Sequence, residues 1–386
     1  MSYQLMIKLD SILGGIICFI LSFLAKFRKY VSNNNFGKED ILIIKFWGVG
    51  SISLTFPLLF AIKNNIRSKI TFLTFESNRE LLDHIDEVDN VVTVRNNNIF
   101  KFGIDSIKVL LFFAKNRPSI TFDMEFFSRY TAIISFLIGS KKRCGYKSLS
   151  KFQNSLYTDL NLFDPSKHIS FNFYKMLSNI GVNLEEDYLQ RFYKKRIDFK
   201  ELDEENILKK NSLSEKYIVI NPNSSNLCYN RRWLPEYFVS LLNKIRKQYR
   251  DIQFVFVGSK NERKYSEHII DLLDNHNVIN ITGETSLSDL LIIIKRAQLL
   301  ITNDSGPMHL ASLFQIKCIS FFGPETPALY GPLNKQNINF YDNELKCSPC
   351  VDVYNYKYCN CNNNLCMSRI LPDSVFHSVD KILSGL

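Results

Sequence analysis

Leu299-Leu-Ile-Thr-Asn-Asp-Ser-Gly-Pro-Met-His-Leu-Ala-Ser-Leu313 is the stretch whose reading decides the fold of this 386-residue chain. Leu299-Leu300-Ile301 ends a predicted strand, and His309, Leu310 and Leu313 recur at helical spacing just beyond it. Pro307 suits a first helical turn, where its missing N–H costs nothing. A strand that stops at Asp304-Ser305-Gly306 and enters a helix presents free backbone N–H groups and the positive end of a dipole. That arrangement holds anions. His309 sits about one turn in, within reach of the same anion. Downstream, Phe321-Phe-Gly-Pro-Glu-Thr-Pro327 ends another apolar run in a Gly/Pro turn, and the two turns read as one wall of a pocket for a phosphorylated ligand.

Working outward, the same alternation recurs on both sides. Toward the N-terminus of this half, strands are predicted at Tyr217–Asn221, Gln253–Val257 and Val278–Ile281, with helices over 235–248, 261–274 and 287–296. A strand at Lys317–Phe322 and a final helix around 372–384 follow. The first half repeats the pattern, with strands at Ile41–Phe46, Ile70–Phe75, Val91–Val94 and Ser119–Phe122 and helices over 104–115 and 130–138. Short continuous apolar runs separated by helices imply parallel sheets buried on both faces. The expected architecture is α/β, two doubly wound Rossmann-like halves. The charge-rich stretch 185–215 is read as the connection between them.

With 46% hydrophobic and 22% charged residues, the chain has an ordinary globular composition and room for two domains of about 150 residues. Its net charge of +10 favours anionic partners. From Lys101 to Lys151 there are ten Lys/Arg against three Asp/Glu, so the excess is local. No aromatic-basic nucleic-acid signature accompanies it, which argues against nucleic acid and leaves a membrane, an acidic glycolipid or a solvated basic face. Ile12–Ala25 is apolar apart from Ser22 and is followed by Lys26, Arg28 and Lys29. That run is shorter than the ~20 residues that span a bilayer, and Lys8 and Asp10 make a poor signal-peptide start. It reads as a membrane-surface anchor, with a buried packing helix or a short span as alternatives. Asn33–Gly37 then reads as a linker. Five of nine cysteines crowd into Cys347, Cys350, Cys359, Cys361 and Cys366, a spacing compatible with a structural zinc site or with thiols packed in a loop.

Taken in order, several motifs resemble one family. They are the Gly48-Val-Gly50 turn after Ile41–Phe46 with Thr55-Phe-Pro57, Asn221-Pro-Asn-Ser-Ser225, Arg231-Arg-Trp-Leu-Pro-Glu236, Thr302–Leu313, Phe322-Gly-Pro-Glu-Thr-Pro327, and Cys347-x-x-Cys350 with Cys366-Met. The series is similar to bacterial glycosyltransferase family 9, the ADP-heptose:lipopolysaccharide heptosyltransferases, over roughly residues 40–380. The second half matches better than the first. The resemblance implies a GT-B fold, two Rossmann-like lobes facing across a cleft, with acceptor on the first and nucleotide-sugar on the second. With the apolar N-terminal run and the charge-rich connection, it divides the chain into an anchor helix and linker (1–37), an acceptor-side domain (38–195), a linker (196–214) and a donor-binding domain (215–386). It also implies inverting transfer that needs no metal and no cofactor beyond the nucleotide-sugar, ADP-heptose in the family. Without a metal, helix N-termini and cations must stabilise the departing diphosphate.

Carried onto this sequence, Asp304, Ser305, Gly306 and His309 match the family's diphosphate side. Ser305 would donate through hydroxyl and backbone, and Asp304 would orient a sugar hydroxyl or hold the loop. Asp304 as a helix N-cap and His309 as a satisfied buried side chain is the plainer alternative. Asn223 and Ser224 lie in the polar loop after a strand. Arg231, aligned by its offset from Trp233, would reach the donor phosphates, with Arg232 as the alternative, unless both are surface arginines. Glu262, past Gly258, is a candidate for ribose hydroxyls or a solvated helix residue. On the acceptor side the family's Gly-x-Gly-Asp becomes Gly50-Ser51 here. Serine is a poor base at neutral pH, so the base is expected at Glu125 or Asp123 in Phe122-Asp-Met-Glu-Phe-Phe127; an ion pair of Glu125 with Arg129 is the alternative.

The expected partners are a nucleotide-sugar, an anionic glycolipid or lipopolysaccharide acceptor, and the cytoplasmic face of the inner membrane. Two rivals remain. A nucleotide-dependent oxidoreductase would use Gly48-x-Gly50, but Ser53 stands where that fingerprint needs a third glycine. A non-catalytic, membrane-bound donor-binding protein of envelope assembly is compatible with Ser51.

Overall fold

The computed structural model describes residues 3–27, 40–126, 128–195, 197, 199, 202–224, 228–274, 277–351, 359 and 361–385. The Asn33–Gly37 linker and Ser225 of the first donor-side loop lie outside the described residues.

The chain divides into two compact units, Met1–Tyr188 and Leu189–Leu386. The first holds a six-stranded sheet built from β1 (Ile41–Ile44), β2 (Ile70–Phe75), β3 (Asn90–Val94), β4 (Ile120–Asp123), β5 (Lys142–Tyr146) and β6 (Asp159–Asn161), in the order β3-β2-β1-β4-β5-β6. The second holds β7 (Tyr217–Asn221), β8 (Gln253–Phe256), β9 (Val278–Asn280), β10 (Leu299–Asn303), β11 (Cys318–Phe321) and β12 (Asn337–Phe340), in the order β9-β8-β7-β10-β11-β12. The pairings within both sheets are parallel. The two orders are the same topology used twice. In each, the chain winds outward to one edge and then returns beside its first strand, so β1/β4 and β7/β10 are switch points. Loops leaving the carboxyl ends of such a strand pair diverge and open a crevice, where ligands of doubly wound sheets bind.

The central strands form because their apolar runs are covered on both faces: Ile41–Ile44, Tyr217–Asn221 and Leu299–Asn303 are buried at every position. The strands β5, β6 and β12, the last two at sheet edges, were not expected. Lys142-Arg-Cys-Gly-Tyr146, buried at every position but Lys142, and the partly exposed Asn337-Ile-Asn-Phe340 mix polar with apolar residues, so they lack the continuous apolar signal. The region read as a connection also carries structure. The helix Glu204–Lys210 belongs to the second unit, tied there by Lys295 Nζ–Glu204 Oε1 at 2.7 Å and Lys210 Nζ–Asp289 Oδ2 at 3.0 Å.

At the N-terminus one helix spans Tyr3–Phe27, well beyond the apolar run Ile12–Ala25. Asp10 does not break it because its carboxylate turns inward. Oδ2 accepts the backbone N–H of Arg129 at 2.9 Å and Oδ1 that of Tyr130 at 2.7 Å, at the start of the helix Arg129–Ile138. A carboxylate at a helix N-terminus satisfies two orphan donors and suits the dipole. The N-terminal helix is therefore part of the first unit.

Candidate functional site

At the switch point of the second sheet, Thr302 on β10 pairs in register with Asn221 on β7. The asparagines that end these strands tie down the loops. Asn303 Oδ1 accepts the Trp233 N–H at 2.9 Å, and its Nδ2 donates to the carbonyls of Pro222 at 2.7 Å and Asn223 at 3.3 Å. Trp233 is fully buried, stacks on Phe321 with ring centroids 4.3 Å apart, and donates its indole N–H to the Ile370 carbonyl. The loop carrying Arg231 is thus fixed against strand ends and core. Asn221 and Asn303 escaped the sequence reading because their role lies in contacts some 80 residues away.

Arg231 closes a 3-10 turn, Tyr229–Arg231, and is only 7% exposed. Its Nη1 lies 3.5 Å from Asp304 Oδ2. Burial works against the cation, but Asp304 and Glu325 outweigh it and hold the guanidinium above its ordinary value. Among the described residues, Arg231 Nε and Nη2 are buried without a hydrogen-bond partner, and so is Asp304 Oδ2. Unmade hydrogen bonds on a buried guanidinium are costly. Arg232 goes elsewhere: its guanidinium stacks over Tyr229 at 4.7 Å and Tyr265 at 4.2 Å. The sequence left Arg232 open as the alternative; the structure puts Arg231 against Asp304.

The helix Gly306–Leu313 has Ser305 as its N-cap, not Asp304. Asp304 instead extends the sheet, its N–H donating to the Phe321 carbonyl at 3.0 Å. Ser305 Oγ accepts from Asn221 Nδ2 at 2.8 Å and lies 2.8 Å from Thr302 Oγ1. Thr302 spends its own proton on the Asn303 carbonyl at 2.9 Å, so Ser305 donates to Thr302. The expected hydroxyl donor to a phosphate is consumed internally, and the backbone N–H is what Ser305 retains. Pro307 lies in the first turn and His309, 7% exposed, follows it.

The remaining donor-side candidates brace this frame. Asn223, 1% exposed, donates to the Val257 carbonyl and Ser266 Oγ. Ser224 donates to the Cys228 carbonyl at 3.1 Å. Glu262 forms a capping box, Oε2 accepting Ser259 N–H and Oγ at 2.7 Å each, so it is neither simply solvated nor aimed by its turn alone at a ligand.

The cysteine segment braces the neighbouring turn: the N–H groups of Cys350 and Val351 both donate to the Pro324 carbonyl at 3.0 Å. Cys350 Sγ and Cys359 Sγ are 3.4 Å apart. Burial pushes the Cys350 and Cys366 thiols up to about 12, and Cys228, a sixth thiol beside Cys359, to about 11. Cys347 is exposed, and Cys361 Sγ donates to the Asn363 carbonyl at 2.9 Å. Among the described residues, no three His, Cys, Asp or Glu side chains converge closely enough to hold a metal ion.

At the switch point of the first sheet, Gly48 takes the left-handed φ of 74° and caps the short helix Val49–Ser53, in which Ser51 is partly exposed. Glu125, 7% exposed, is filled. Oε1 accepts the N–H groups of Phe46 at 2.7 Å and Trp47 at 3.1 Å, and Oε2 lies 3.0 Å from Lys45 Nζ. Its ion-pair partner is Lys45, not Arg129 one turn on. Lys45, a lone charge inside an apolar run, was the available signal for this pair. Asp123 is wholly buried: Tyr157 Oη donates to Oδ2 at 2.6 Å and the Glu125 N–H to Oδ1 at 3.0 Å. Burial raises its carboxyl to about 7. Sealed this way, Asp123 does not meet an acceptor.

Two units of this topology are the domains of a GT-B glycosyltransferase fold, and the second presents a buried cation and a helix start at its switch point. The model of glycosyltransferase family 9 (heptosyltransferase) matches residues 128–358, and the chain belongs to that family. A family 9 glycosyltransferase from Veillonella parvula DSM 2008 superposes with a TM-score of 0.73 at 20% identity, covering 92% of this chain and all of that one. The E. coli ADP-heptose lipopolysaccharide heptosyltransferase II gives 0.71 at 17% identity, covering 90% and 99%. These likenesses concern the fold. In sequence, the lipooligosaccharide heptosyltransferase 2 of Campylobacter jejuni (serotype O:6, strain 81116) is 28% identical over 170 residues, 44% of this chain and 52% of its own length. The match therefore spans about half of that curated relative.

Proposed function

We propose that this chain is a glycosyltransferase that moves a heptose or related sugar from a nucleotide-sugar, ADP-linked by family resemblance, to a lipopolysaccharide or related glycolipid. The observation that carries the reading is Arg231: a buried guanidinium with two nitrogens lacking hydrogen bonds, beside Asp304 at the β7/β10 switch point. Cationic donors with a helix N-terminus suit a diphosphate, and the neighbouring carboxylate oxygen suits sugar hydroxyls. A nucleotide-sugar has both. The reaction we infer is inverting and metal-independent: the acceptor hydroxyl oxygen bonds to the anomeric carbon as the bond from that carbon to the diphosphate oxygen breaks, the hydroxyl proton passes to water, and Arg231 with the Ser305–Gly306 backbone stabilises the departing charge. The site of action is the cytoplasmic membrane face, with the helix Tyr3–Phe27 as anchor.

On the acceptor side we keep Glu125, as a positioning residue: its three donors hold the segment Lys45–Trp47 at the crevice of the first sheet. Glu125→Gln should then lower kcat while leaving nucleotide affinity and the shape of the pH–rate profile intact. Loss of the acidic limb would instead make Glu125 the base. A second reading, donor binding without transfer, is favoured by Ser51 and by the sealing of Asp123. Calorimetry with ADP and ADP-heptose, run beside transfer to a heptose-deficient glycolipid, tests both. Binding with transfer supports the first, binding without transfer or hydrolysis the second, and no binding removes both.

A further inference from the structure

The first unit carries a surface that donor binding and transfer do not use. The helix Ile99–Lys115 buries Val109 and Phe113 in the core, yet its opposite face is also apolar. Phe100 (78% exposed), Ile104, Ile107 and Leu111 (63%) follow one another at steps of four, three and four, a single stripe along the helix. Lys101, Lys108 and Lys115 run beside it, seven residues apart. A helix meant for water would carry charge where this stripe stands.

A second stripe lies on the same layer of helices. The N-terminal helix packs inward through Cys18 and Leu21 and outward exposes Ile12, Ile16, Ile20 and Phe27. Between the two helices runs Arg129–Ile138, joined to both. Asp10 caps its start, and a Cβ on Gly14 would lie 2.8 Å from Arg129 Cβ, so glycine permits that close crossing. On the other side the Tyr130 ring sits 4.7 Å from Phe102, and its hydroxyl 2.9 Å from Ser106 Oγ. The charges match the stripes. Asp105, Asp123 and Glu125, the acidic residues of 101–151, are all buried, whereas Lys101, Lys108, Lys115, Lys141, Lys147 and Lys151 are exposed.

We propose that this helical layer is a membrane-docking surface for an anionic phospholipid bilayer, with the helix Ile99–Lys115 as a second insertion element beside the N-terminal helix, both lying in the plane of the interface. Apolar stripes flanked by lysines sit at the acyl–headgroup boundary and gain from anionic lipid. A second copy of this chain would bring lysines against lysines. By length and composition the segment Leu5–Phe27 could cross a bilayer. Doing so would pull Asp10 off the N–H groups it caps and carry a carboxylate into the lipid, which is costly. The proposal deepens the membrane reading above and is independent of the transfer reaction.

The test uses the full chain without substrates, sedimented with phosphatidylcholine vesicles with and without phosphatidylglycerol. Ile107→Glu with Leu111→Glu should cut vesicle partitioning by about tenfold or more, with melting temperature and ADP affinity unchanged because both side chains face outward. Lys101→Glu with Lys108→Glu should abolish the preference for phosphatidylglycerol. Partitioning of the double glutamate variant equal to that of the unaltered chain would overturn the proposal. So would a change in oligomeric state in place of vesicle binding, which would make the occupant a second copy. Depth is read separately with Ile16→Trp and Ile107→Trp and brominated lipids. Shallow quenching of both is expected; deep quenching of Ile16→Trp alone would mean a spanning helix. Failure here leaves the donor-site reading standing, since ADP binding is measured in the same samples.

Discussion

The two switch points of this molecule are built alike and finished differently. Each pairs a cation that follows the first strand of its sheet, Lys45 immediately and Arg231 at the end of a loop and turn, with a carboxylate just after the fourth: Lys45 and Glu125 at 3.0 Å, Arg231 and Asp304 at 3.5 Å. In the first unit the pair is saturated, because Phe46 and Trp47 fill the other Glu125 oxygen and Asp123 holds the Glu125 backbone. In the second unit Arg231 Nε, Arg231 Nη2 and Asp304 Oδ2 lack hydrogen-bond partners among the described residues. A saturated buried pair has nothing left to give a ligand and serves as scaffold. An unsaturated one is stabilised only when something else supplies the missing bonds. The same topology thus yields a brace in one half and the proposed recognition site in the other.

The largest expected effect is on the brace. Lys45→Met leaves a buried carboxylate without its cation and should cost about 3–5 kcal/mol in denaturant unfolding. A loss below about 1 kcal/mol would show the pair is not the scaffold it is taken for. Next is the pH response of the same network. The Asp123 carboxyl keeps its proton to about pH 7 when folded and only to about pH 4 when unfolded. The folded state therefore holds more protons in that window, and stability falls as pH rises through it, by on the order of 3 kcal/mol. Urea titrations at pH 5 and pH 8 should show this fall, and Asp123→Asn should flatten it.

Smaller, and on the recognition side, Arg231→Lys preserves the charge beside Asp304 and Glu325 but removes the forked donors. ADP affinity should drop by roughly tenfold to a hundredfold with little change in melting temperature. Full affinity in this variant would erase the contrast between the two switch points. The smallest effect is expected at Ser305, whose hydroxyl is bonded internally. Ser305→Ala should cost about 1 kcal/mol of stability and leave ADP affinity within about twofold. A large affinity loss would return the hydroxyl to the phosphate.

Much of the architecture was legible. The helices Pro235–Gln248 and Leu287–Arg296 and the strand Ile70–Phe75 fall where periodicity put them, because their burial is one-sided or complete and leaves a strong pattern. The strands β5, β6 and β12 were not, since lysine, asparagine and glycine interrupt their apolar residues. Thr302–Leu313 pointed to a helix start at the end of a strand, and both are present. Its chemistry was harder to read. Asp304 was a choice between cap and ligand, and Arg231 was favoured over Arg232 only by its offset from Trp233, because each answer depends on which side chain is folded against which strand end.

By itself the sequence determined the class of fold, the two halves and the strand-to-helix turns, all of which rest on local periodicity and turn chemistry. Only the tertiary structure decided which polar groups are satisfied. Hydrogen bonds such as those from Trp233 to Asn303, Asn221 to Ser305 and Phe46 to Glu125 join residues brought together by the sheets. What remains short of hydrogen bonds once they are made, above all Nε and Nη2 of Arg231, marks the candidate site.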